Sequence, residues 1–213
     1  MNIFRVRDYL SVLLYRLAGG LFGAFGRRVR IVWPLRLVGL KYMYFGHDVT
    51  IANGGYVAAL REFDETPRLS FGNGTRIGEL AHIICTHDVS FGDDVLVANR
   101  VFISDCAHAF RDIDVPVLHQ GLDKGRPVSI GAGSWIGENV CILSATIGRH
   151  CVVGANSVVT GDVPDHSVVA GAPARIVRRY CHSRGQWLPT HADGRFREKP
   201  ETGASLSQAS FQR

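Results

Sequence analysis

Large apolar residues recur along this chain at steps of six, each followed by a small residue, most often glycine. Phe71-Gly72, Ile77-Gly78 and Ile83 form a first run; Phe91-Gly92, Val97-Ala98 and Ile103-Ser104 follow after a two-residue slip. Ile130-Gly131, Ile136-Gly137 and Ile142 open a second run, one residue drops out, and Ile147-Gly148, Val153-Gly154 and Val159-Thr160 continue it. A period of six fits neither the 3.6 of a helix nor the 2 of a long strand. It fits a solenoid of short strands joined by tight corners. The large residue fills the interior, and glycine allows either close approach or a positive φ at the corner. Ahead of the repeat, Leu10, Leu13, Leu14 and Leu17 recur at helical spacing and predict an amphipathic helix. It caps the end of the fold or lies on a membrane face. Arg16 and Gly19, Gly20, Gly23 and Gly26 argue against a spanning segment, and no small-residue cleavage site marks a signal peptide.

The pattern divides the chain into an N-terminal helical segment (1–30), a repeat domain (31–178) and an irregular, polar tail (179–213). Residues 105–127 interrupt the repeat as an extruded loop, and residues 53–68 lack clean hexads and read as a shorter insertion. An excursion from a rigid solenoid is a place to build a site, because the coils hold its ends still. This one carries Asp105, His108, Asp112, Asp114, His119 and Lys124.

Composition narrows the functional classes. The chain has 213 residues and a net charge of +5, with 24 glycines, and five cysteines that form no CxxC pair. A zinc ribbon and a disulfide framework are thereby disfavoured, and reduced thiols in a cytoplasmic protein are expected. Charge is unevenly placed: residues 1–30 and 171–213 are basic, whereas residues 31–170 hold ten basic side chains against fifteen acidic ones. An acidic body argues against a nucleic-acid groove and leaves anionic small molecules or a membrane surface as partners of the basic ends.

The stretch Ile103-Ser-Asp-Cys-Ala-His108, then Asp114-Val-Pro116, Gln120, Pro127 and Gly133-Ser-Trp-Ile-Gly137, follows a known order of motifs. So does Val153-Gly-Ala-Asn-Ser-Val-Val-Thr160 with Ala170-Gly-Ala-Pro-Ala-Arg175. In these motifs the chain resembles the hexapeptide-repeat acyltransferases, nearest the maltose and galactoside O-acetyltransferases and the O-acetyltransferases of bacterial surface polysaccharides. The resemblance implies an all-β, left-handed parallel β-helix, assembled as a homotrimer. It implies an acetyl-CoA-dependent O-acetyltransferase, without a metal, acting on a sugar hydroxyl in cell-surface polysaccharide assembly. His108 is then the general base and Asp105 orients its ring or binds the acceptor. Trp135, Gly137, Glu138, Ala155, Thr160, Arg175 and Arg178 contact coenzyme A, and His82 lines the acceptor pocket. Gly161 stands where the family often has lysine, which places more weight on the arginines.

The residues themselves support that chemistry. Attack of a hydroxyl on a thioester needs a base for the alcohol proton and an acid for the leaving thiolate, and imidazole serves both near neutral pH. Two other classes remain open. Were His82, His87 and His108 to converge, they would form a zinc site like that of the carbonic anhydrases sharing this solenoid. A non-catalytic scaffold would keep the repeat and need no base. Location is expected to be cytoplasmic, with possible peripheral contact at the inner face of the cell membrane.

Overall fold

The computed structural model describes residues 3–33 and 35–197 of the chain. Three parallel sheets run along a three-sided prism. One six-stranded sheet runs from Ala24–Phe25 to Thr146–Ile147, and a second from Arg36–Val38 to Val158–Val159. A third begins at Arg30–Ile31 and ends in an antiparallel hairpin. Each coil contributes one strand to each sheet, so neighbouring coils pair in register: Ile77 with Val97, Val97 with Ile136, Ile136 with Val153. Every large apolar hexad residue named above is buried. Inside, Phe45, Phe71 and Phe91 stack at 4.8 and 5.0 Å with nearly parallel rings, so successive coils interlock through like side chains.

The glycine beside each large residue serves close approach. A Cβ on Gly72 would lie 2.4 Å from the carbonyl carbon of Gly92, and one on Gly131 2.5 Å from that of Gly148. Positive φ falls two residues later and is carried mostly by other residues: Asp48, Leu80, Asp94, Asn139, His150 and Asn156. Asn and Asp accept this conformation because their short polar side chains bond locally.

Three boundaries are corrected. The solenoid starts at Ala24–Phe25, paired with Tyr44–Phe45, and not at residue 31; Phe25-Gly26 and Ile31 already follow the hexad. Only about half of residues 53–68 is insertion: Tyr56–Ala59 pairs with His82–Cys85 as part of a coil, leaving the stretch 60–67. The tail from residue 179 is not irregular throughout. Arg175–Cys181 turns back on Ser167–Ala170 and pairs with Gln186–Pro189, covering the last coil's open edge. Residues 198–213 lie outside the described residues.

At the other end, the helix Ile3–Leu17 covers the first coil. The Ser11 hydroxyl donates to the Ile31 carbonyl (2.9 Å) and accepts from the Trp33 amide (2.7 Å). These are the groups that the first strand of its sheet turns away from its neighbour, so one serine satisfies an open edge.

Candidate active site

Five irregularities of the repeat fall at one corner of the prism, between the sheet holding Phe102–Ser104 and the sheet holding Asp88–Phe91. They are the two-residue slips after Leu37 and Ile83, the insertion 60–67, the excursion 105–127 and the missing residue after Ile142. Successive coils thus deliver Glu65, His87, the extruded loop and Ser144 to one place.

Asp105 roots the loop. Its carboxylate is fully buried and accepts four hydrogen bonds: Thr86 N–H (2.8 Å), Thr86 Oγ1 (2.9 Å), His87 N–H (2.7 Å) and Asp88 N–H (2.8 Å). Its carbonyl accepts from Gly125 N–H at 2.9 Å, closing the loop's two ends on one residue. The loop rises as an antiparallel ribbon, Cys106–His108 against Leu122–Lys124, with Cys106 opposite Lys124 and His108 opposite Leu122. Opposed residues of such a ribbon share a face, so Cys106, His108, Leu122 and Lys124 point the same way. Gln120 fastens the tip by donating to the carbonyls of Asp112 and Val115, both at 2.7 Å. The tip holds Phe110, Ile113 and Leu118 largely exposed.

Lys124 forms an ion pair with Glu65, and the same carboxylate oxygen lies 3.2 Å from His87 Nδ1. The short insertion, the slipped coil and the His108 ribbon are therefore linked through Glu65. Asp88, next to His87, has one buried oxygen without a hydrogen-bond partner. Burial raises its carboxyl above the usual range, opposed by His87 and Arg68. Cys106 is buried beside Ser104. Cys85, behind the corner, is held as a thiol: burial and then Asp105 push it up to about 12.

The structure separates the three histidines considered as zinc ligands. His82 lies in an outward-facing row of register partners, its ring 5.3 Å from Tyr56 and 5.1 Å from Phe102. His87 faces Glu65, and His108 stands exposed on the ribbon. Among the described residues no group of three or more His, Cys, Asp or Glu side chains is placed to hold a metal ion.

The residues expected to meet coenzyme A spread over the later coils. Trp135 is half exposed, in register between Leu96 and Val152. Gly137 donates its amide to the Val153 carbonyl at 2.8 Å, within the coil stack, and Glu138 pairs with Arg100. Ala155 is exposed at the next corner. Thr160 and Arg175 come together with Gly161 and Asp162 around a recess of about 400 Å³. Arg178 is exposed on the terminal hairpin, opposite Pro189, and does not line that recess. Sequence reasoning missed Glu65, the His87–Lys124 connection through it, and the Tyr56–His82–Phe102 row. The available signal was that every break of the hexad falls at the same corner.

Comparison with known proteins agrees with this architecture. The pattern described as the hexapeptide repeat of succinyl-transferase matches residues 127–161. A probable acetyltransferase of Mycobacterium tuberculosis is 43% identical over 112 residues, covering 52% of this chain and 37% of that protein. WbbJ of Escherichia coli K12, named for O-acetyl transfer in lipopolysaccharide biosynthesis, is 38% identical over 125 residues, covering 55% of this chain and 63% of WbbJ. The chain thus spans between about a third and two thirds of the length of these relatives. Among solved structures, the N-acyltransferase AntD of Bacillus cereus, in complex with dTDP and coenzyme A, superposes with a TM-score of 0.66 at 17% identity, covering 77% of this chain and 88% of AntD. These likenesses agree with a left-handed parallel β-helix in which residues 127–161 carry the hexapeptide repeat.

Proposed function

We propose that this protein transfers an acetyl group from acetyl-CoA to a sugar hydroxyl, in the assembly of a cell-surface polysaccharide. The observation that carries the reading is the ribbon rooted by Asp105, which raises one exposed imidazole, His108, above a corner assembled from four successive coils. The 38% identity to WbbJ over 125 residues supports an oxygen acceptor on a glycan.

In this reading His108 takes the proton of the acceptor hydroxyl as its oxygen attacks the thioester carbonyl carbon. The carbon–oxygen bond forms and the carbon–sulfur bond breaks. The imidazolium then returns its proton to the departing thiolate, leaving an ester, free coenzyme A and neutral His108. Asp105 acts as a positioning residue, since its carboxylate is fully engaged by the Thr86–Asp88 turn. Glu65 and Lys124 hold the ribbon's open side. His82, between Tyr56 and Phe102, offers a polar and aromatic surface for the acceptor.

Thr160, Gly161 and Arg175 fit the phosphate end of coenzyme A. The recess is large enough for a phosphate, Gly161 has open space where a side chain would stand, and arginine's fork suits phosphate oxygens. Trp135 and Ala155 lie along the approach, and Arg178 supplies charge from the hairpin. Gly137, with its amide already bonded, shapes the coil for Ala155 to stack on it. A trimer would cover the exposed loop tip at Phe110, Ile113 and Leu118, apolar surface that a lone subunit leaves in water.

Thiol release from acetyl-CoA, measured over free, nucleotide-linked and lipid-linked sugars, tests the reading. Acceptor-dependent release with an alkali-labile ester product is expected. Release that no glycan stimulates would overturn it.

A further inference from the structure

The N-terminal helix lies the opposite way from a helix that buries its apolar stripe. Its inward side carries Ser11, bonded to the first coil, and Tyr15, half-buried against the core. Its leucines face away: Leu10, Leu14 and Leu17 are 57, 63 and 79% exposed, and Leu13 is exposed too. With Trp33, 55% exposed, these side chains line an apolar trough of about 640 Å³. Four leucines and a tryptophan left in water at one end of a protein mark a contact surface.

Charge identifies the occupant. Residues 1–46 carry Arg5, Arg7, Arg16, Arg27, Arg28, Arg30, Arg36 and Lys41 against a single acid, Asp8. Beside the stripe, Arg16 and Tyr9 are exposed on the helix and Arg30 on the strand beneath. Two copies meeting through this stripe would bring those arginines together. An anionic surface would instead neutralise them while the leucines enter its apolar layer. A basic-flanked helix with leucines on one face and aromatic residues at the boundary is the form that lies in a lipid interface. No helix among the described residues is long and apolar enough to cross a membrane, so the contact is peripheral.

We infer that the outer face of the helix Ile3–Leu17, with Trp33, docks this protein on an anionic lipid bilayer. The inference goes beyond the acetyl-transfer reading and does not depend on it.

The full-length protein is sedimented with phosphatidylcholine vesicles, with and without phosphatidylglycerol, at low and high salt. Binding to the phosphatidylglycerol vesicles is expected, falling as salt screens the arginines. The Leu13→Glu, Leu14→Glu double variant is expected to lose at least about tenfold in partitioning while keeping the wild-type circular dichroism, melting temperature and assembly mass, because both side chains lie outside the core. Wild-type protein that stays in the supernatant with anionic vesicles overturns the inference. So does a double variant whose assembly mass falls in light scattering, since the stripe would then belong to a second copy of the chain.

Discussion

At the scale of single residues, the corner rests on Asp105, whose buried carboxylate has its partners specified, and on Asp88, whose buried Oδ1 has none. Asp105 is the clearest: replacing it with alanine leaves three backbone amides and a hydroxyl without their acceptor. Asp105→Ala is therefore expected to cost about 2–5 kcal/mol in a denaturant titration, and unchanged stability would refute its rooting role. Asp88 works in the other sense. Burial raises its carboxyl, so the folded state holds that proton more tightly than the unfolded chain. Its ionised form costs stability above the raised value, and the cost vanishes as pH falls through the carboxylate range. Asp88→Asn should raise the melting temperature at neutral pH, with the gain fading in acid; a lower melting temperature at neutral pH would show the carboxylate to be needed. Asp105 and His108 were legible in the sequence as a motif. The reach of Asp105 back to Thr86 was not, because a side chain's partners are fixed by which coil lies beneath it.

At the scale of elements, the hexads were readable because each carries its own interior residue and close-approach glycine. The first coil was overlooked although Phe25, Ile31 and Leu37 follow the same spacing, since the apolar residues before Phe25 read as a continuing helix. The terminal hairpin was missed because its strands face water on one side and alternate only weakly. The insertion 60–67 looked like a surface loop, yet it supplies Glu65, which ties His87 and Lys124 together. Glu65→Gln keeps the side chain's shape and removes the charge that holds the ribbon. It should raise the acceptor KM several-fold while leaving the KM for acetyl-CoA unchanged. The stability loss should be under about 1 kcal/mol, because the pair is exposed. Equal changes in both KM values would assign Glu65 a merely structural role.

At the scale of the molecule, the uneven charge and the unused leucines acquire places. The acidic middle is the prism. The C-terminal excess includes Arg175 at the recess proposed for coenzyme A, and the N-terminal excess surrounds an apolar face that the prism does not need. A protein docked by its first coil would hold its site, several coils along, at a fixed height over the bilayer. The central claim remains that His108 is the base of a direct acetyl transfer. The most direct measurement is kcat/KM for acetyl transfer to the best acceptor, compared between the wild type and His108→Ala. The account predicts a fall of about 10²–10⁴-fold with the fold and the KM for acetyl-CoA retained, because His108 is exposed and lies away from the recess. Transfer at the wild-type rate in His108→Ala would contradict it.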